Sequence, residues 1–371
     1  MRLRTCWIGG VVLSLVGISA LVWIQKDALW VWWQSRNLES ATPLELEKAV
    51  DRLAAFEPIA VPALIRQLSS SDARLCASSG AALGHLLQRH AADESRTQKV
   101  LSVLADRFAH CSAEGRNQVL LIVSERLRAT GEVLPPVLLE TCARLVQASA
   151  NVPAENRLAA LQLVHELLVT AEAERILPAS RPLVLAGLKS ANLAERLLAV
   201  RLAATPVLDL LQELPALVTG VDADSSAEVR ILVLLSLGSR EQLLPTELIL
   251  PMLNDADAEL RSVAERALKT RGLSGAQIRL AQMLTHPDAG VRARVPELVN
   301  ELPELDATLW LERLSRDPCP SVRVAVLRNA EARPEECWQQ SVRRIRQSDP
   351  SPTVKDIAKF CEQARFDTRD R

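Results

Sequence analysis

The sequence predicts an all-α fold, an α-solenoid of about nine stacked helical hairpins preceded by one transmembrane helix. A motif recurs about every 31 residues in the carboxy-terminal half, and apolar residues follow the period of an amphipathic helix. Strand signals are missing, because hairpin dipeptides and sustained two-residue alternation are absent from the sequence. At 371 residues, 48% hydrophobic and 24% charged, the chain is too apolar for disorder and too long for a small disulfide-stapled fold.

Residues 1–25 are predicted to be a cytoplasmic stub followed by a transmembrane signal anchor. Arg4 and Lys26 enclose an uncharged stretch of 21 residues with an apolar core at 7–24. As a helix this stretch measures about 31 Å, enough to cross a hydrocarbon core of about 30 Å. Tryptophan favours membrane interfaces, and the residues expected there, the last three in a juxtamembrane linker over 26–42, are Trp7, Trp23, Trp30, Trp32 and Trp33.

A cleavable signal peptide is the alternative for this segment, with Gly17, Ser19 and Ala20 near the cleavage site. The apolar run continues past these small residues to Ile24, which favours an uncleaved anchor. Positive charge is slightly greater before the span than after it, so the amino terminus is expected in the cytoplasm and the rest in the periplasm. The reversed topology stays open.

Two further compositional features bear on localisation. Gly10, Ser14 and Gly17 share one face of the predicted span, where small residues permit weak self-association. Arginine outnumbers lysine 37 to 7, which is typical of a GC-rich bacterial genome. We therefore expect a single-pass protein of a bacterial inner membrane.

A repeat array is predicted over 43–364, with a polar tail at 365–371. Five segments align on one basic residue preceded by Val or Leu, at spacings of 31, 31, 31 and 32 residues. The basic residues are Arg230, Arg261, Arg292, Arg323 and Lys355, and the residues six positions before them are Asp224, Asp255, His286, Asp317 and Asp349. Upstream the spacing loosens, and the expected equivalents are Arg74, Arg116, Arg157 and Arg196.

Each repeat is predicted to contain two helices. The helix after the basic residue carries an apolar stripe such as Val229, Val233 and Leu237. A second apolar helix follows a Gly or Pro break, as at 243–255 and 275–287. The turn Asp is expected to accept hydrogen bonds from free N–H groups in the first turn of the next helix. Thr42, Pro43 and Glu45 predict a capped start of the array.

The segment AVPALIRQLSSSDARLCASSGAALGHL at 60–86 and the series from 224 to 364 resemble HEAT repeats, in particular the short variety also found in bilin-lyase-like proteins. The resemblance covers about 320 residues. It implies a right-handed solenoid in which turn Asp and Arg side chains of successive repeats form a buried polar ladder. The residues assigned to it are Asp224, Arg230, Asp255, Arg261, Arg292, Asp317, Arg323, Asp349 and Lys355. His286 and Lys355 depart from the pattern.

The sequence contains no motif that specifies catalysis, a cofactor or a metal site. Its seven cysteines form no C-x-x-C pair and are expected mostly as buried thiols, with disulfides Cys111–Cys142 or Cys337–Cys361 as the alternative. The histidines are dispersed, and His110 beside Cys111 would point in a different direction on a helix. No glycine-rich phosphate loop or nucleophile elbow occurs.

Nucleic acid is not expected as a partner. Residues 40–371 carry 40 basic and 43 acidic side chains, and aromatic side chains on which bases could stack are few. The sequence therefore predicts a membrane-tethered scaffold that binds an unknown partner protein through the concave surface of its solenoid, lined by the second helices as the resemblance implies, and that performs no catalysis. The alternatives are a cytoplasm-facing scaffold and an accessory enzyme of the bilin-lyase-like kind.

Overall fold

The computed structural model describes residues 26–37, 43–89, 93–130, 134–150, 153–170, 172–219, 223–299, 307–330 and 336–369. These residues form helices, turns and connecting segments, without a β-strand among them, so the predicted all-α repeat architecture is confirmed. The chain divides into two compact units, with the boundary between Leu210 and Leu211, whereas the sequence suggests one uninterrupted array over 43–364.

The first unit contains eleven α-helices within its described residues. In order they are α1 (26–36), α2 (Pro43–Ala54), α3 (Glu57–Gln67), α4 (Ala73–Arg89), α5 (Glu94–Arg107), α6 (Ala113–Thr130), α7 (Pro136–Ser149), α8 (Arg157–Leu167), α9 (Ala173–Ile176), α10 (Arg181–Leu188) and α11 (Leu193–Ala203). Short 3-10 helices lie at Phe108–His110, Ala154–Asn156, Leu177–Ser180 and Pro206–Leu208.

The second unit contains ten α-helices within its described residues. They are α12 (Ala227–Leu237), α13 (Thr246–Ile249), α14 (Ala258–Thr270), α15 (Gly275–Leu284), α16 (Ala289–Ala293), α17 (Val295–Val299), α18 (Ala307–Leu314), α19 (Pro320–Ala330), α20 (Glu336–Ser348) and α21 (Pro352–Arg369). The 3-10 helices are Leu211–Glu213, Pro215–Leu217 and Leu250–Asn254. Helix α21 continues through most of the segment predicted as a polar tail at 365–371.

Each unit is built from two rows of helices. In the first unit α4, α6, α8 and α11 contact one another in sequence, and α3, α5 and α7 form a second row. In the second unit α12 contacts α14, α16 contacts α19, and α19 contacts α21, while α18 packs on α20 in the other row. We call the row of α4, α6, α8 and α11 the arginine row of the first unit and the row of α12, α14, α16, α19 and α21 that of the second, because these helices carry the repeat basic residues near their amino ends.

Aliphatic side chains fill the space between the rows. Leu64, Leu83, Leu120 and Leu161 are fully buried in the first unit, as Leu237 is in the second. Because each helix buries its apolar face against the next repeat, leucine, valine and alanine supply most of the core. The scarcity of aromatic residues in the sequence follows from this close packing of thin helix pairs.

One glycine marks an especially close approach between neighbouring repeats. A Cβ atom on Gly115 would lie 1.8 Å from the carbonyl oxygen of Leu68, and the N–H and hydroxyl of Ser112 both donate to that same oxygen. Only a residue without a side chain fits here, since real Cβ contacts are never this short. Helix α6 is therefore held directly against the end of α3.

The second helices are less regular than the sequence predicts. Over 243–255 the chain forms the four-residue α13 and then a 3-10 helix, because Pro251 can donate no hydrogen bond within a continuous helix. By contrast, 275–287 forms α15 as predicted, and Ser274 and Gln277 make a reciprocal capping box at its start.

The predicted membrane anchor lies outside the described residues, as do Trp7, Trp23 and Thr42. None of the helices in the described part of the chain is both long and apolar enough to cross a membrane. Residues 26–36, predicted as a linker, form α1, where the ring of Trp30 lies 4.9 Å from that of Phe56. Trp32 and Trp33 are each about half exposed, and the Arg36 guanidinium lies over the Trp32 ring.

Candidate functional site

The predicted arginine–aspartate ladder joins neighbouring repeats of the second unit at three points. Arg230 pairs with Asp255 at 3.0 Å, Arg292 with Asp317 at 2.7 Å, and Arg323 with Asp349 at 2.7 Å. In the last two pairs Nε and Nη2 of the arginine donate to the two carboxylate oxygens, a bidentate arrangement. Each pair joins one repeat's helix to the next repeat's turn.

The same arginines also bind their own turn. Nη1 of Arg323 donates to the carbonyl oxygens of Asp317 and Pro318, and Nη1 of Arg292 donates to those of His286 and Pro287. Arg230 likewise donates to the carbonyl oxygen six residues before it. One guanidinium thus closes its own turn through Nη1 and joins the next turn through its other nitrogens.

The ladder aspartates shape the turns differently from the prediction. Asp255, Asp317 and Asp349 each accept a hydrogen bond from the N–H two residues later, which closes an Asx turn. The cap of α14 is instead Asp257, which accepts from the N–H groups of Glu259 and Leu260. The expectation that the ladder aspartate caps the next helix was therefore wrong, since the cap lies two residues further on.

Burial of the ladder increases toward the carboxy terminus. The side chains of Arg230 and Asp255 are 16% and 23% exposed, whereas those of Arg323 and Asp349 are 6% and 3% exposed. Burial alone would raise the pKa of Asp349, but hydrogen bonds from Arg323 and from the Ser351 N–H outweigh it, so this pKa lies below its usual value. The same hydrogen bond raises the pKa of Arg323.

Arg261 and Lys355 occupy ladder positions without such a carboxylate pair among the described contacts of the second unit. Arg261 donates through Nη1 to the carbonyl oxygens of Asp255 and Ala256, but His286 stands at the position of the next aspartate. Lys355 lowers the pKa of Asp349 through its charge. The Asp224 carboxylate closes its turn through the Ser226 N–H, and its carbonyl oxygen accepts from Arg230.

In the first unit two repeat arginines, Arg116 and Arg157, bind a side chain other than a turn aspartate. Arg116 donates to the side-chain oxygen of Asn156 at 2.8 Å, and Arg157 pairs with Glu195 at 3.1 Å. Both partners directly precede the next repeat's basic residue. Arg196 closes its own turn by donating to the carbonyl oxygens of Ser190 and Ala191.

Arg74 is not the first member of this series. Asp72 accepts from the N–H groups of Arg74 and Leu75, as Asp257 does in its own repeat, so the ladder position is Cys76. Its Sγ lies 3.3 Å from the carbonyl oxygen of Ser70, six residues earlier. A thiol therefore takes the place of the guanidinium in this repeat.

Arg271 was not predicted from the sequence as a functional or structural residue. It forms hydrogen bonds with the segment that connects α12 to α13. Its guanidinium donates to the carbonyl oxygens of Gly238 and Leu244 at 2.7 and 2.6 Å and to the Thr246 hydroxyl at 2.9 Å. Desolvation by burial lowers its pKa. No periodic signal could have found it, because it lies outside the register of the repeat arginines.

The cysteines and histidines in the described residues are not gathered into a metal-binding group. No group of three or more His, Cys, Asp or Glu side chains in that part of the chain is arranged to hold a metal ion. Cys76, Cys111, Cys142 and Cys361 are buried free thiols, and Cys319 is a partly exposed one. Burial raises the pKa of Cys111 to about 11 and that of Cys142 to about 12.

Three arginines of α20, Arg343, Arg344 and Arg346, lie close to carboxylates of other helices. Arg344 lies 3.6 Å from Glu312 and donates to the Ser315 hydroxyl, and Arg343 and Arg346 both pair with Glu362. These arginines join α20 to helices on either side.

The outer faces of the two arginine rows are the best candidate for a binding surface. The residue five positions after the repeat basic residue is exposed in every repeat from α6 onward. It is apolar and large in three repeats: Leu121 is 46% exposed, Leu235 59% and Phe360 65%. It is arginine in three others, Arg201, Arg266 and Arg328, and polar in the remaining two, Gln162 and Glu297. We call these six residues, three apolar and three basic, the outer-face positions.

The second row exposes apolar side chains to a smaller extent. Ile59, Val103 and Leu248 are each about two-fifths exposed. The outer-face positions were not singled out in the sequence, although a pattern counted from the repeat arginines contains them.

Comparison with known proteins identifies no relative by sequence: no protein-family model matches the chain, and no curated protein matches it. Among solved structures, one similar chain is an engineered protein from a structural genomics consortium, with 14% identity and a TM-score of 0.41, covering 91% of this chain and 98% of that one. Another comes from the Pds5–Scc1 complex, with 11% identity and a TM-score of 0.26, covering 86% of this chain and 60% of that one. At these TM-scores neither likeness bears on the function of this chain.

Proposed function

We propose that the protein is a membrane-tethered helical-repeat scaffold that binds a partner protein through the outer-face positions of its arginine rows. The carrying observation is that one exposed position holds leucine, phenylalanine or arginine in six of the eight repeats from α6 onward. Aromatic and arginine side chains are enriched in protein interfaces and among their energetic hot spots. The proposed surface therefore lies on the first helix of each repeat. The sequence alone predicted that the second helices line the binding surface.

The ladder supports this function by fixing the repeats relative to one another within the second unit. Arg323 and Asp349 are bidentate and almost fully buried, so α19 and the turn before α21 are fixed relative to each other. A surface whose side chains are already positioned loses less conformational entropy on binding. The outer-face positions of α19 and α21, Arg328 and Phe360, are presented on this fixed pair.

The membrane tether is proposed from the apolar segment 7–24 and from α1, where two half-exposed indoles follow that segment. Trp32 and Trp33 are suited to the polar boundary of a bilayer. The proposed orientation has the repeats in the periplasm. A cytoplasm-only reporter fused after Arg371 should be inactive, and activity there would reverse the topology.

Catalysis is not part of the proposed function. Incubating the purified full chain with tetrapyrroles should give neither a spectral shift nor a covalent adduct. Either signal would overturn this part of the proposal in favour of an accessory enzyme of the lyase kind.

Site-specific photo-crosslinking tests the binding surface. A photoreactive phenylalanine analogue at Leu235 in the full chain should capture a partner in intact membranes. The matched control is Leu248, a partly exposed leucine on α13 in the second row. Capture at Leu248 without capture at Leu235 would overturn the proposed surface.

A further inference from the structure

His286 reproduces the turn geometry of a ladder aspartate without its charge. Its Nδ1 accepts a hydrogen bond from the Asp288 N–H at 3.0 Å, as the Asp317 carboxylate accepts from the Cys319 N–H at 2.8 Å. Because Nδ1 is the acceptor, the neutral ring carries its proton on Nε2. The imidazole therefore presents a donor where the other turns present a carboxylate oxygen.

Arg261 is oriented like the arginines that do bind a carboxylate. Its Nη1 donates to the carbonyl oxygens six and five residues earlier, at 2.7 and 2.9 Å, and Arg323 makes the same pair of bonds at 2.6 and 3.1 Å. In Arg323 this leaves Nε and Nη2 for the next turn, 26 residues on. In Arg261 the corresponding nitrogens have no carboxylate partner among the described residues.

The turn before Arg261 and the turn of His286 are held side by side. Asn254, the residue before Asp255, donates to the carbonyl oxygen of Gln282 at 2.8 Å and to the hydroxyl of Thr285 at 2.9 Å. Thr285 directly precedes His286. The Arg261 guanidinium and the His286 imidazole consequently face the same step between repeats, and both offer donors there.

An open cleft of about 940 Å³ adjoins His286 on the side of the following turn. His286 and Pro287 line it together with Arg313 and Arg316 and with the acidic residues Glu247, Glu312 and Asp317. Arg316 pairs with Glu312 at 2.7 Å, whereas Arg313 is exposed and has no ion-pair partner among the described residues. An acidic segment bound at His286 would meet Arg313 in this cleft.

The aspartate carboxylates of the two turns make their described hydrogen bonds to groups other than Arg261 and His286. Asp257 accepts from the N–H groups of Glu259 and Leu260, and Asp288 accepts from that of Gly290. The Asp255 carboxylate accepts from Arg230. Among the described residues no carboxylate is paired with Arg261 or His286, and the inferred carboxylate is one that another molecule supplies.

We infer that Arg261 and His286 form a receptor for a carboxylate side chain on an acidic segment of the partner protein, which completes the ladder from outside. The inference rests on the proposed scaffold function, because the acid belongs to the bound partner. A guanidinium fork and a neighbouring N–H donor match the two oxygens of a carboxylate. Arg261 and His286 then recognise the partner, whereas the arginine–aspartate pairs of the ladder join neighbouring repeats.

The test uses the full chain in detergent and fluorescein-labelled hexaglutamate, with hexaglutamine as the neutral control. Hexaglutamate should bind, and more weakly as salt rises. His286→Asp supplies the ladder carboxylate from within the chain, so it should weaken binding by about tenfold or more, the ratio expected for one charge-assisted pair. His286→Asn keeps a turn acceptor without the negative charge and should retain binding to within about threefold of wild type.

Arg279→Gln, on the exposed side of α15, is the matched control for charge and should change hexaglutamate binding by less than about twofold. Equal affinity of wild type and His286→Asp would overturn the inference, as would equal affinity for the two peptides. Displacement of hexaglutamate by equimolar inorganic phosphate would reassign the step to a free anion and overturn the partner assignment.

Failure of this inference can be told apart from failure of the proposed function. Capture at Leu235 with hexaglutamate bound no better than hexaglutamine would overturn the carboxylate receptor alone. Capture at Leu248 without capture at Leu235, with selective hexaglutamate binding intact, would overturn the outer-face surface and leave the receptor standing.

Discussion

Asp349→Ala should strongly destabilise the last repeats of the second unit. The Asp349 carboxylate accepts from Nε and Nη2 of Arg323 at 2.7 and 2.9 Å and from the Ser351 N–H at 2.8 Å. The two side chains are 6% and 3% exposed, so truncating the acid leaves a buried guanidinium without its counter-charge. Breaking a buried ion pair in this way costs about 3–5 kcal/mol.

Hydrogen–deuterium exchange read by mass spectrometry is the suitable assay, because repeat proteins open locally and a single global midpoint would average the two units. A loss of about 3–5 kcal/mol corresponds to amide exchange in α19 and α21 that is roughly two to four orders of magnitude faster. Asp255→Ala should have a smaller effect on α14, since its pair with Arg230 is more exposed.

The matched control for this prediction is Glu265→Ala, which removes an exposed ion pair with Lys269 on α14. Its effect should stay below about 0.5 kcal/mol. Exchange in α21 of Asp349→Ala less than about fivefold faster than in the wild-type chain would refute the view that the ladder fixes the repeats.

Three further predictions address acid, packing and thiols. The pKa of Asp349 is lower in the folded chain than in the unfolded chain, where it is about 3.9. The stabilisation that the ionised Asp349 gives to the fold is therefore complete above the unfolded-state pKa and is lost as the pH falls through the lower folded-state pKa. Amide protection of α21 should therefore hold at about pH 5 and decline below about pH 4, and a decline already between neutral pH and about pH 5 would contradict this assignment. Gly115→Ala should lower the free energy of unfolding by about 1–3 kcal/mol, because the added methyl group clashes with the main chain of the preceding repeat. Gly84→Ala is the control: its added methyl group would lie 3.9 Å from the nearest atom, a carboxylate oxygen of Glu125, so it should raise the free energy of unfolding by up to about 1 kcal/mol. Equal shifts of the two urea midpoints would rule out the close approach at Gly115. Iodoacetamide at about pH 8 should leave Cys142 unmodified in the native chain, because the thiolate is the reactive form and burial raises the pKa of this thiol to about 12. Cys319 should react first, because a hydrogen bond with Ser321 lowers its pKa. Peptide mass spectrometry reads this order, and earlier labelling of Cys142 would contradict it.

The regular part of the repeat was accessible from sequence because its spacing is regular. Arg230, Arg292 and Arg323 recur every 31 residues or a multiple of it, and the structure brings each to the aspartate of the next turn. The exception at His286 was also visible in the sequence. Its meaning was not, because only the hydrogen bond from the Asp288 N–H shows that imidazole replaces the carboxylate in the turn.

Other features depended on contacts that periodicity does not encode. Aligning Arg74 on its charge placed it two residues out of register, whereas aligning on the capping role of Asp72 identifies Cys76. Arg271 binds carbonyl oxygens 27 and 33 residues earlier, a distance that no local pattern predicts. The helix at 26–36 was predicted as a linker because its packing of Trp30 on Phe56 is a tertiary contact.

The most direct test of the scaffold account is the affinity of the partner captured at Leu235 for three full-length chains: wild type, Leu235→Glu and Leu248→Glu. Leu235 belongs to the outer-face positions and is 59% exposed, so placing a charge there should not unfold α12. The account predicts that Leu235→Glu raises the dissociation constant by about tenfold or more, as for an interface hot spot, and that Leu248→Glu changes it by less than about twofold. An equal or larger effect of Leu248→Glu would contradict it.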